Sequence, residues 1–128
     1  MSKRGEIRNE EYARPLILYK GMAWNKITPT DIDGCIDFQD KVFIFFEVKH
    51  GKTNLTLGQK ILLERLVNRI NKSGAHSYAL ICRHFIDGDV LLKDCIVHDV
   101  FNGIWSSLKG KGVNVDNAVK RIRKKHNL

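Results

Sequence analysis

Proline is almost missing from this chain, with only Pro15 and Pro29 among 128 residues, so no Pro-rich linker divides it and one domain spanning residues 1–128 is expected. No apolar stretch reaches the roughly 20 residues that cross a bilayer. The opening residues Met1 to Glu6 lack the apolar run of a signal peptide. Both absences lead to the expectation of a cytoplasmic protein without membrane attachment. Three cysteines, an odd number without framework spacing, exclude a secreted disulfide scaffold and fit a reducing compartment. No repeat or low-complexity tract is present. Acidic residues are the scarcer sign, 14 against 22 lysines and arginines, for a formal net charge of +8. That excess attracts polyanions, although solvated lysines on an ordinary surface produce it too. No aromatic pattern of the kind that stacks single strands is evident, and the histidines have no Ser, Cys or Asp constellation for nucleophilic catalysis. Cys82, His84, Cys95 and His98 are not spaced as a zinc finger or ribbon. Both cysteines lie in apolar strand patterns, where burial is their ordinary fate.

Hydrophobic residues make up 43% of the chain, enough for a real core. Residues 6–13 suit a short helix, and Pro15 interrupts helical geometry at Arg14. Met22 to Ile27 reads as a first strand, Thr28 to Thr30 as a turn, Ile32 to Phe38 as a second strand, and Gln39 to Lys41 as a hairpin. Val42 to Lys49 is apolar on both sides, with Phe43 and Phe45 on one face and Ile44, Phe46 and Val48 on the other. Such a run marks a central strand covered on both faces. The period then changes. Leu62, Leu63, Leu66, Val67 and Ile70 form one stripe of a helix over 59–72, with Thr56 to Gln59 as a capping box and Gly74 as its stop. Ser77 to Cys82 is a strand, Val90 to Val97 another, with Asp87-Gly88 turning between them. Residues 114–126 make a basic helix that carries Lys120, Arg121, Arg123, Lys124 and Lys125 around an apolar stripe.

Chemistry enters at the end of the central strand. Glu47 and Lys49 are two positions apart, so both side chains project to one face. A carboxylate and an ammonium at the tip of a buried strand are costly unless they are paired or hold a metal. Asp31 and Asp33, sixteen and fourteen positions before Glu47, lie where the neighbouring antiparallel strand begins. Either can be the metal ligand, and either can be a plain turn residue. The competing reading of Glu47 and Lys49 is an exposed edge salt bridge.

Helix, three strands, helix and strand, with an aspartate, a hairpin and then Phe46-Glu47-Val48-Lys49, resembles the PD-(D/E)XK nuclease superfamily over about Glu6 to Cys82. Within it the chain is most similar to small Holliday-junction resolvases and phage proteins of that kind. The features that carry this are Glu10 ahead of Lys20 to Trp24, the run Thr30 to Gly34, and Gly58-Gln59 with Leu63 to Leu66. The resemblance implies an α/β, restriction-endonuclease-like αβββαβ core, with a mixed central sheet flanked by helices. It implies a Mg2+-dependent DNA endonuclease, Mn2+ substituting, with no small-molecule cofactor. The metal ligands would be Asp33 or Asp31, Glu47 and the carbonyl of Val48. Lys49 would orient the attacking water, with Glu10 and Gln59 as further catalytic residues. A homodimer acting on branched or double-stranded DNA follows from the same resemblance, in a phage or prophage protein working in a bacterial host. Lys52 and the basic helix (Lys120, Arg121, Arg123 and Lys124) are the candidate phosphate contacts, their alternative being a solvated face. The rival functions are a repair or restriction-type nuclease on duplex or flap DNA, and a basic DNA-binding or phage accessory protein that keeps the fold without cutting.

Overall fold

The double-sided apolarity of Val42–His50 determines the arrangement of everything around it. In the computed structural model, which describes residues 18–128, this nine-residue strand (β2) is an interior strand, second from the edge, in a sheet of five. The other strands are Gly34–Phe38 (β1), His76–His84 (β3), Ile96–Phe101 (β4) and Trp105–Ser107 (β5), and the spatial order is β1-β2-β3-β4-β5. Only β2 and β3 run parallel; the other neighbours are antiparallel. A parallel pair needs a crossover, and Leu57–Lys72 (α1) supplies it. Val115–Lys125 (α2) closes the described chain. The described residues are thus mixed α/β, with one helix on each face of a mixed sheet.

Alternation along β2 divides the core in two. Phe45 meets Leu63 and Val67 of α1, together with Ala79, Ile81 and Phe101. Val42, Ile44 and Phe46 meet Ala118 and Ile122 of α2, together with Leu80, Cys82 and Val97. Fully burying each large apolar side chain contributes about 1.5–3 kcal/mol, so each helix is held by its stripe. Both helices are capped as their sequences suggest. Thr56 and Gln59 form a reciprocal capping box on α1, and the Asn114 side chain accepts from the Asn117 amide on α2. Gly74, at φ 98°, lies just past the end of α1.

Two local expectations fail and one strand is new. Met22 to Ile27 is not a sheet strand. Asn25 and Lys26 have φ of 49° and 68°, so the segment folds back on itself and Trp24 and Ile27 exchange both backbone hydrogen bonds, at 2.9 and 2.8 Å. Among the described residues the first strand of the expected core is therefore absent. Val90 to Val97 is not one strand either. Leu92–Asp94 forms a 3-10 turn, and the strand begins only at Ile96, because Lys93-Asp94 interrupts the alternation and leaves Leu91 and Leu92 exposed. β5 was not anticipated; Asn102-Gly103, with Gly103 at φ 112°, is the turn that creates it. The helix expected over 6–13, with Glu10, and the break at Pro15 lie outside the described residues. No helix of the described chain is long and apolar enough to cross a membrane.

Candidate metal and phosphoryl-transfer site

β2 and β3 point their carboxyl ends the same way, and α1 starts there. That places the amino terminus of a helix, with its partial positive charge, against the ends of two parallel strands, a common position for ligand sites in open α/β sheets. Glu47 and Lys49 reach this spot on the α1 side of β2. Glu47 is 3% exposed and Lys49 14%, so they form a largely desolvated pair rather than an open edge bridge. Lys49 Nζ lies 3.2 Å from Glu47 Oε1.

Gln59 ties the pair to the helix. Its Nε2 donates to Glu47 Oε1 at 2.9 Å, while its Oε1 accepts from Lys49 Nζ at 3.0 Å and from the Thr56 amide at 3.1 Å. One side chain therefore completes the capping box and fixes the rotamers of both charged groups. Removing it would leave a buried carboxylate short of a donor.

Asp33 arrives from the other side. β1 begins only at Gly34, which pairs with Phe46, so the Val48 amide has no strand partner on that edge. The Asp33 carboxylate takes that place, with Oδ2 accepting from Val48 N–H at 2.7 Å. A residue's amide and carbonyl leave a strand on the same edge, so the Val48 carbonyl also faces the Asp33 side. The carboxyl of Glu47 is pushed above its ordinary range, first by burial and then by the Asp33 charge, against the opposing pull of Lys49. A second carboxylate thus lies near the Glu47–Lys49 pair, and the site is short of positive charge. A hard divalent cation would fit that deficit, since magnesium is commonly held by one or two carboxylates and keeps several waters. Among the described residues no group of three or more His, Cys, Asp or Glu side chains converges, so protein carboxylates alone would not complete its coordination.

The other candidates fall elsewhere. Asp31 is exposed and accepts a hydrogen bond from the Tyr19 hydroxyl; of the two aspartates, Asp33 is the one bonded to β2. Lys52 is exposed in the loop after β2. Lys120 pairs with Asp116 at 2.9 Å, Arg123 covers the Phe38 ring at 5.6 Å, and Arg121 and Lys124 are exposed. All four belong to α2, on the sheet face opposite Glu47, and Arg123 reaches Phe38, paired with Val42 at the far end of β2. Cys82 and Cys95 are free and buried. The Cys82 thiol is pushed up to about 12, mainly by burial, which makes it a packing group rather than a thiolate ligand.

Arg83 is the functional neighbour that the sequence pattern did not single out. Paired with Lys49 across the parallel ladder, it donates from Nη1 to the carbonyls of Gly51 (3.1 Å) and Thr53. It thereby clamps the loop that delivers α1, and Gln59 with it. A lone arginine at the end of the apolar run Ser77 to Cys82 was the available signal. Comparisons with family models, with curated proteins and with solved structures return no match.

Proposed function

We propose that this chain is a divalent-metal-dependent endonuclease of the restriction-endonuclease-like class, hydrolysing phosphodiester bonds in DNA, with branched DNA as its favoured substrate. The observation that carries the reading is the buried, mutually bonded set Glu47, Lys49 and Gln59, with Asp33 bonded to the intervening Val48 amide, at the carboxyl ends of a parallel strand pair. A buried carboxylate and ammonium held this firmly have no structural necessity, because an apolar pair would fill the same space at no desolvation cost.

In this reading Asp33, Glu47 and the Val48 carbonyl would hold Mg2+ or Mn2+, which when bound polarises a phosphate oxygen and lowers the pKa of water. Lys49, positioned by Gln59 and Glu47, orients the attacking water and offsets the negative charge that grows on the phosphoryl oxygens. The amino end of α1 adds its dipole on the same side. The water gives up a proton to solvent as its oxygen bonds to phosphorus, the bridging P–O bond breaks, and the leaving oxygen takes a proton from solvent.

The test is cleavage of labelled four-way junction, flap, duplex and single-stranded DNA with Mg2+, Mn2+ or EDTA. Cutting that requires metal, favours the junction and disappears in Glu47→Ala is expected. Absence of cutting on every substrate would sink the enzyme and leave a DNA-binding protein. Resolution of a junction also requires two symmetric cuts and hence a two-fold dimer. Sedimentation at micromolar concentration should find one, and a strict monomer that cuts duplex as fast as junction would remove the branched-DNA preference.

A further inference from the structure

A cavity opens beside this site on the same face of the sheet, between the start of α1 and β5. It has a volume of about 300 Å3 and is lined by Asn54, Leu55, Lys60, Ile81, Arg83, Asp99 and Trp105. That is the lower end of the range for ligand sites, roughly 300–1,000 Å3, and suits one small planar group. Three features shape it for such a group. Trp105 forms an aromatic wall and is fixed in place: its Nε1 donates to Glu64 Oε2 at 2.7 Å, its ring packs on Phe101 with centroids 5.0 Å apart, and Lys60 Nζ lies 6.0 Å from its centroid. Asp99 supplies a carboxylate acceptor. Lys60, exposed at the rim, supplies a cation for a phosphate. The cavity is also in register with the site. Glu47 pairs with Ile81, and Ile81 with Asp99; two strand spacings put Asp99 about 10 Å from Glu47 along one row.

We propose that this cavity takes a single unstacked nucleobase from the strand being cut, with Trp105 as the stacking surface and Asp99 accepting from an exocyclic amine, as on cytosine. The identity of the ligand rests on the nuclease reading of the neighbouring site. Every base has a π-face, so a tryptophan wall is tolerant of sequence, whereas a carboxylate acceptor favours the amine of cytosine over the carbonyl of thymine. A base can enter only after leaving its stack, which costs least at a mismatch or in a strand already unpaired. The cavity therefore selects DNA that carries an unpaired nucleotide beside the cut, as flaps and opened branch points do, over continuous duplex.

The experiment is done in EDTA, so that cleavage does not enter. The chain has two tryptophans, and Trp24→Phe leaves Trp105 as the sole indole emitter. Short single strands of deoxycytidylate, of deoxythymidylate and of abasic residues with equal phosphate number are titrated in. The base-bearing strands should quench Trp105 emission and bind roughly 5–150-fold more tightly than the abasic strand, the span of one base stacked on an aromatic side chain. Deoxycytidylate should bind more tightly than deoxythymidylate, and Asp99→Asn should remove that preference while keeping the quench, without relying on any variant that disturbs the packing of Trp105. Equal binding of abasic and base-bearing strands, unchanged emission at saturation, or no binding of any strand overturns the proposal. Base-dependent quenching in a protein that never cleaves would keep the cavity and sink the nuclease. Metal-dependent cleavage without base discrimination would do the reverse.

Discussion

At the carboxyl ends of β2 and β3 one carboxylate and one ammonium, Glu47 and Lys49, are buried and bonded to each other, whereas at the amino ends the charged groups are exposed. Both helices run against β2, so their carboxyl termini gather at the amino end and bring Arg69 and Lys72 of α1 and Arg123, Lys124 and Lys125 of α2 with them. Cations there are favoured by the helix dipoles at about 0.3–1 kcal/mol each, with no ligand required. A polar groove lies at that end between Lys41, Ser73, His76 and His126. The His76 and His126 rings are 4.3 Å apart, and the Tyr78 hydroxyl pairs with His126 Nε2 at 2.6 Å. The catalytic candidate sits instead where the Asp33 carboxylate lies near the buried Glu47–Lys49 pair. The contrast teaches that exposed basic residues are explained by helix ends and do not mark the site; the site is marked by charge that is buried against its own cost.

If that contrast holds, the largest effects follow changes at the carboxyl end. Lys49→Met should lower metal-dependent cleavage by roughly 10²–10³-fold, the range for losing one group that stabilises transition-state charge. Single-turnover kinetics at saturating DNA checks this, and an unaffected rate would reduce Lys49 to a structural partner of Glu47. Gln59→Ala should destabilise the fold by about 1–3 kcal/mol in urea unfolding, because Glu47 Oε1 loses a donor and the α1 cap loses its reciprocal bond. A loss near zero would mean that water replaces the amide and that the cluster is not firmly held.

The amino end should respond to acid more than to substitution. Burial, then His76 and then Lys125 hold His126 below its ordinary value of 6.5, so the folded protein binds this proton less readily than the unfolded chain does. Its stabilising contribution is therefore present above pH 6.5 and is lost as pH falls toward the lowered folded value. His98 at the carboxyl end is shifted the same way, by burial and by Arg83. Thermal midpoints between pH 7.5 and 5 should fall, and His126→Gln should flatten part of that fall while leaving the share from His98. The smallest effect is expected from neutralising Lys120, Arg121, Arg123, Lys124 and Lys125 together. Cleavage of a substrate just long enough to cover the site should keep its rate. On longer DNA a flattened salt dependence, about 0.9 in slope per lost phosphate contact, would show that α2 reaches the backbone after all.

What the sequence made legible follows from how local each signal is. β2 was readable because its apolar run is continuous, and α1 because stripe, capping box and stop agree within twenty residues. Glu47, Lys49 and Gln59 were readable as candidates because strand periodicity puts the first two on one face and the cap places the third at the helix start. The choice between Asp33 and Asp31 was not readable: it depends on β1 starting at Gly34 rather than Ile32, which leaves the Val48 amide for Asp33. The failure at Met22 to Ile27 has the same character, since two left-handed residues outweigh apolar content. The aromatic wall at Trp105 escaped because its use depends on β5, a three-residue strand defined by pairing with β4 rather than by pattern.

The central claim, a divalent cation held by Asp33 and Glu47 rather than at the amino end, is tested most directly by amide spectra of the 15N-labelled protein with substoichiometric Mn2+. Paramagnetic broadening should centre on Asp33, Glu47, Val48 and Lys49 and should vanish in Glu47→Ala. The amino end has its own close pair of aspartates, with the Asp40 amide bonded to Asp37 Oδ1 at 2.7 Å, and so provides an internal rival. Broadening centred on Asp37 and Asp40, or broadening at Asp33 that persists unchanged in Glu47→Ala, would contradict the account.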